Sequence, residues 1–454
     1  MKNSTFWVMA GLAGAILGPA GAATLYFVPD PLGLALVSGL VCFFCFLALP
    51  WLVLPAAMVG GGFAAAVAGT EVAAGQTWMV AATHIGVLAA GAAALTARRL
   101  LGAPHRGRPV RTPADKPMLL FAIVGLIGAL YGLAMDHQPA DVLVASYQIG
   151  IIPAYFFLAT HTLTTPSRRT AAVVATVAGT LALAAIALVG PDRDGGMLSA
   201  LVLVVLAVVV VRTSGWRRLG LAVVLVPLAA DVALTGTRAV WASTGVALVV
   251  LLLWGTSALR GRLATCGLVA VLLIVGGALV SPDVSGRMST MTADLTRSAG
   301  SFGPGSSVGL RAFGESPIIG TGVGHTTATS TDATTADDAT PDATASTVGP
   351  VYPSFWTTLL ANLGILGLIA LLWPLAIALR SGFRDRHGLP LTFVALTCGF
   401  AIGGGLATPG GGHWELGLLP ALTFLTTVAV PAARFLPQQR REPSIAPQPT
   451  TSRI

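Results

Sequence analysis

Apolar runs of about 20 residues recur from one end of this chain to the other, and each is long enough to cross a bilayer as a helix. A soluble domain carries about 25% charged residues. Here only 10% of 454 residues are charged and 54% are hydrophobic. The pattern predicts an all-α polytopic membrane protein. Fourteen apolar spans are read at 6–28, 32–50, 51–69, 77–97, 117–135, 142–162, 170–190, 196–212, 219–235, 239–256, 263–281, 354–379, 389–408 and 414–433. The expected organisation is eleven helices over 1–281, an extracytoplasmic loop over 282–353, three helices over 354–433 and a disordered cytoplasmic tail over 434–454. Span one is read as a retained helix rather than a cleaved leader.

Basic residues in the short loops set the orientation of such a chain. Of the 26 Lys and Arg residues, 21 fall on one side of the fourteen-span alternation. The remaining five, Arg193, Arg238, Arg287, Arg297 and Arg311, fall on the other, where most of the acids also lie. Both termini are therefore expected in the cytoplasm. The formal charge of +8 is accounted for by this asymmetry, on a face that meets anionic lipid, so it calls for no nucleic acid. The predominance of Arg over Lys, with abundant Ala and Gly, hints at a GC-rich bacterial source.

The four cysteines, Cys42, Cys45, Cys266 and Cys398, all lie inside apolar runs. "CFFC" has the spacing of a metal or redox pair, but no His or further Cys accompanies it. Packing is the expected role, with no metal and no cofactor.

The loop at 282–353 differs from the others. Its first half mixes polar and apolar residues and is expected to fold on the membrane surface. Its second half, "TTATSTDATTADDATPDATASTVGP", has almost nothing to bury and is expected to be disordered.

Arg238 sits in the turn "TGTR" between spans nine and ten, at the outer boundary. One reading is an interfacial anchor that snorkels to water. The other is functional. External positive charge opposes the topology signal, and Asp231 lies two helical turns earlier, on the same face if the helix continues through Gly236. A guanidinium donates two parallel hydrogen bonds to phosphate oxygens and stays charged. A second external cluster, "GLRAFGESPIIGTGVG" (309–324), adds Arg311, Glu315 and a run of glycines. The glycines allow close backbone approach or simply a tight surface loop.

"TGTRAVWA", "GESPIIGTGVG" and "FWTTLLANLGILGLIALLWPL" (355–375), in that order and on that side, resemble the O-antigen ligase and polymerase family of bacterial membrane glycosyltransferases. The resemblance covers roughly residues 219–379. It implies a glycan carried on undecaprenyl diphosphate in the outer leaflet of the cytoplasmic membrane. An acceptor hydroxyl of a second glycan attacks the anomeric carbon and the lipid diphosphate leaves, without a metal. Arg238 matches the turn arginine of the family. Arg311 is the best match to the loop arginine, with Arg287 and Arg297 as fallbacks. The resemblance also implies a histidine about eleven residues before Gly364. This chain has Pro353 and Ser354 there, a departure that favours a polymerase-like or divergent member. His325, His413 (beside Glu415), Glu315 and Asp231 are the candidates to activate the acceptor.

The alternatives are a lipid-linked oligosaccharide flippase or other transporter, and a non-catalytic export scaffold. A transporter should show broken or charged spans near the bilayer centre and two related halves. The sequence marks neither.

Overall fold

The computed structural model describes residues 42–68, 77–100, 109–189, 196–234, 238–264, 304–325, 354–384, 388–404 and 413–427. Among them all regular structure is helical. A helical stretch at 42–48 leads through a 3-10 turn, Pro50–Leu52, into α1 (Val53–Ala68). There follow α2 (Thr77–Leu100), α3 (Asp115–Ala134), α4 (Pro139–Thr162), α5 (Pro166–Val189), α6 (Gly196–Arg212), α7 (Trp216–Leu234), α8 (Arg238–Trp254), α9 (Pro304–Glu315), α10 (Phe355–Arg384), α11 (Leu389–Gly403) and α12 (Glu415–Thr427). Four of them, α3, α4, α5 and α10, are long and apolar enough to cross a membrane. The spans read at 6–28 and 263–281 fall almost wholly outside the described residues. So do most of 32–50, the loop stretches 282–303 and 326–353, both termini, and Arg193, Arg287 and Arg297.

The distribution of side chains suits lipid rather than water. α3 exposes Leu119, Ile123, Leu126, Ile127 and Leu130, and buries Phe121, Gly125, Gly128 and Gly132. Large aliphatic residues face outward and glycines line the buried face from Gly125 on, because lipid-embedded helices gain from close backbone packing, not from hiding hydrocarbon. The same economy joins α8 to α11. A side chain added at Gly399 would meet the Ser243 carbonyl, and one added at Gly403 would meet the Ser243 hydroxyl and, at 2.8 Å, the Ala239 carbonyl. Gly417 likewise lets α12 press on the backbone of Ile152 in α4.

Arginines gather where helices end. The last carbonyls of a helix lack intrahelical partners and carry partial negative charge. Arg169, in the first turn of α5, donates to Leu163 O at 2.9 Å and to Leu425 O at 2.5 Å, capping α4 and α12 together. Arg262 donates to Val211 O of α6 at 2.5 Å. Arg98 reaches Leu47 O. The basic loops therefore do structural work at one end of the bundle.

α10 departs from the single unbroken span expected at 354–379. Gly364 has φ 62° and ψ −160°, so α10 is two helices joined at a break. The physical reason lies in segment 316–325. Its backbone fills the notch and takes over the hydrogen bonds that the break frees. Thr321 N donates to Ala361 O at 2.8 Å, Ile365 N to Pro317 O at 2.9 Å and Leu366 N to Ile318 O at 3.2 Å. Val323 N donates to Gly128 O of α3 at 3.0 Å. Non-helical backbone within an apolar bundle requires such substitute partners.

Candidate functional site

Several helix termini meet away from the basic end. α11 stops at Gly403, and Gly404 O accepts from Phe355 N, the first residue of α10, at 3.0 Å. A Cβ added at Gly404 would come 3.4 Å from the His413 ring, and that ring lies against Phe355, tilted by 57° with centroids 4.5 Å apart. Two residues later α12 begins at Glu415. The first turn of α8 reaches the same junction, since Ala239 faces Gly403. The N-termini of α8, α10 and α12 thus border one point, and each carries the partial positive charge of a helix start.

His413 Nδ1 is 2.8 Å from Glu415 Oε1. The imidazole is 4% exposed and the carboxylate 0%. A carboxylate on Nδ1 fixes the tautomer of a neutral ring and leaves Nε2 to accept a proton. α4 supplies the wall of this site. Tyr155 stacks on Trp414 at 5.4 Å. One surface of the Tyr155 ring meets His84 of α2 edge-on at 6.2 Å, and His84 Nδ1 is 2.5 Å from the Tyr147 hydroxyl.

The second cluster flanks the N-terminal half of α10. Ala312 of α9 is buried with Ala361 of α10, which seats Arg311 beside the same half-helix that carries Phe355. Arg311 and Glu315 are exposed, one helical turn apart on α9. His325, half-buried at the end of the inserted segment, lies 5.5 Å from His137, ring to ring. His137 Nδ1 is 3.1 Å from Val323 O. Burial lowers the His325 pKa below its ordinary value, and the neighbouring His137 lowers it further, against the opposing pull of Glu315.

The positions of the expected residues divide as follows. His413 is brought to the junction, against the residue that follows Ser354, so it occupies the neighbourhood where the resemblance implies a histidine. Arg238 opens α8 there, but its side chain lies outside the described residues. Arg311, Glu315 and His325 gather around the inserted segment. Asp231 is 2% exposed and accepts from the Ser199 hydroxyl of α6 at 2.5 Å; residues 235–237, through which a register with Arg238 would run, lie outside the described residues. The expectation of unbroken spans is corrected, because Gly364 interrupts α10.

His137, Tyr147, Tyr155 and the partnership of Glu415 with His413 were not singled out as a site from sequence. Only the "HWE" spacing carried a signal, since i and i+2 at a helix start bring two side chains to one edge. Among the described residues no group of three or more His, Cys, Asp and Glu is placed to hold a metal. Set against known protein families and against curated proteins, the chain matches none.

Proposed function

We propose that this chain is a membrane glycosyltransferase of the O-antigen ligase/polymerase type. It moves glycan from undecaprenyl diphosphate to an acceptor hydroxyl at the outer face of the bacterial cytoplasmic membrane, with both termini in the cytoplasm. The observation that carries the reading is the contact of His413 with Phe355. It supplies, from a later loop, an imidazole at the segment of α10 where the resemblance calls for one. Three helix N-termini and the backbone of Arg238 border the same point. Such termini favour anionic groups, and a diphosphate is the anion that the reaction expels.

In this reading Arg238 and Arg311 hold the diphosphate. His413 Nε2 takes the proton of the acceptor hydroxyl, with Glu415 orienting the ring and balancing the new positive charge. The acceptor oxygen bonds to the anomeric carbon as the bond from that carbon to the phosphate oxygen breaks. The diphosphate leaves with the electron pair, and its added charge is met by the guanidinium groups. No metal enters the scheme.

The test is Arg238→Ala and His413→Ala in cells, with lipid-linked glycan and mature polymer both measured. Loss of a general base costs about 10²–10⁴-fold in rate. Long polymer should disappear while short lipid-linked units accumulate. Unchanged polymer from stably expressed variants argues against the proposal.

A second reading, a lipid-linked oligosaccharide flippase or other transporter, is favoured by the break in α10 and the buried charge at Glu415. It expects the same variants to trap lipid-linked units on the cytoplasmic leaflet instead of the outer one.

A further inference from the structure

The first turns of α3 lie beside the last turns of α10, and a groove of about 320 Å³ opens between them, lined by Pro113, Lys116, Pro117, Leu120, Trp373 and Ile377. The groove is at the basic end of the bundle. Val110 N, just ahead of α3, donates at 3.2 Å to Thr160 O in the last turn of α4, the helix end that Arg169 caps. A Cβ added at Gly382 of α10 would meet Thr423, two residues from the Leu425 carbonyl that Arg169 also holds.

Both walls are apolar along their length and cationic at the mouth. On α3, Lys116 and Leu120 are one turn apart, and Ile123 and Ile127 continue the same exposed stripe. On α10, Trp373, Ile377 and Arg380 follow at i, i+4 and i+7, with Trp373 and Arg380 exposed. The neighbouring acid does not neutralise these cations. Asp115 is engaged by Thr112, whose N–H donates to Oδ2 at 3.1 Å and whose hydroxyl donates to Oδ1 at 2.5 Å. Among the described residues neither Lys116 nor Arg380 has an ion-pair or hydrogen-bond partner. A long cationic side chain beside an apolar wall lays its stem on hydrocarbon and keeps its head at the boundary, and an indole in the same groove suits the headgroup level.

We infer that this groove seats an anionic phospholipid of the leaflet that the basic end faces. Its phosphate is drawn to Lys116 and Arg380, and an acyl chain lies along Leu120, Trp373 and Ile377. Basic pockets between membrane helices select headgroups in this way. A zwitterionic lipid brings the same chains, but its own amine offsets the phosphate. A soluble phosphate gains nothing from a wall of leucine, indole and isoleucine. The inference concerns the basic end and does not rest on the transferase reading.

The test is native mass spectrometry of the full chain released from micelles, with phosphatidylglycerol and phosphatidylcholine of identical chains added in equal amounts. The wild type should retain phosphatidylglycerol in preference. Lys116→Gln should lower that preference about fivefold, the pull of one cation near a lipid surface, and Lys116→Gln/Arg380→Gln should lower it further. Lys116→Arg, which keeps the charge, should retain it. Trp373→Ala should lower retention of phosphatidylglycerol although no charge is lost. Arg217→Gln/Arg218→Gln removes two exposed cations at the start of α7, outside the groove, and should leave the lipid bound. Equal retention of the two lipids by the wild type overturns the proposal, as does a Trp373→Ala variant that retains as much as the wild type. A loss in the α7 variant equal to that in the groove variant also overturns it, because general surface charge then explains the preference. So does release of the lipid by millimolar inorganic phosphate, the mark of a bare anion site.

Discussion

His413 and Glu415 are bonded at 2.8 Å while the imidazole is 4% exposed and the carboxylate 0%. A pair in such surroundings is held together by the cost of separating it. Removing one partner of a buried pair typically costs about 3–5 kcal/mol, whereas replacing both with apolar groups is far milder.

His413→Leu should therefore destabilise the protein more than the double variant His413→Leu/Glu415→Leu does. The coupling expected for two groups in contact is about 0.5–3 kcal/mol, read from unfolding of the single and double variants in micelles. Strict additivity would mean that the pair is not coupled.

The break at Gly364 leads to a second prediction. Its φ of 62° with ψ of −160° is a region open in practice to glycine alone, and holding another residue there costs on the order of 1–3 kcal/mol. An added Cβ would also meet the Ile318 carbonyl. Gly364→Ala should release segment 316–325, read as faster hydrogen exchange at the Thr321 and Val323 amides. Gly150→Ala, where a Cβ has open space, should leave those rates alone.

The joint between α8 and α11 should be as sensitive. Gly399→Leu drives a side chain into the Ser243 carbonyl, and overpacking of this sort costs typically about 1–3 kcal/mol. Because Gly403 and Gly404 carry the junction with Phe355 and His413, the variant should lose polymer formation along with stability. Retention of both would show that the two helices can part without harm to the site.

Acid should loosen the inserted segment. The His325 pKa is lowered in the folded protein, chiefly by burial and then by His137. Above an ordinary value of about 6.5 both the docked and undocked segment carry a neutral ring, and docking is at full strength. As pH falls below that value the undocked segment takes a proton that the docked one refuses, so docking weakens until the lowered value is passed. Exchange at the Val323 amide, corrected for its intrinsic pH dependence, should rise through this window. His325→Gln should flatten the rise, and an unchanged slope would remove His325 from the account.

Much of the architecture was written along the chain. Apolar runs of bilayer length forecast the helices, and the arginines forecast one end of the bundle, because both signals are local and additive. Arg238 and Arg311 stood out for a similar reason, being basic residues where the charge pattern opposes them. The interruption of α10 was hidden, since a glycine in an apolar run reads alike whether the helix passes through it or stops. What breaks α10 there is a segment some forty residues earlier whose backbone offers substitute hydrogen bonds. The site followed the same division. Sequence alone determined that this chain lives in a membrane, which end is basic and which residue types are at hand. Only tertiary structure decided that His413 rests on Phe355, that Tyr155 lies against Trp414, and that the Ser199 hydroxyl reaches Asp231, because those meetings depend on which glycines let which helices touch.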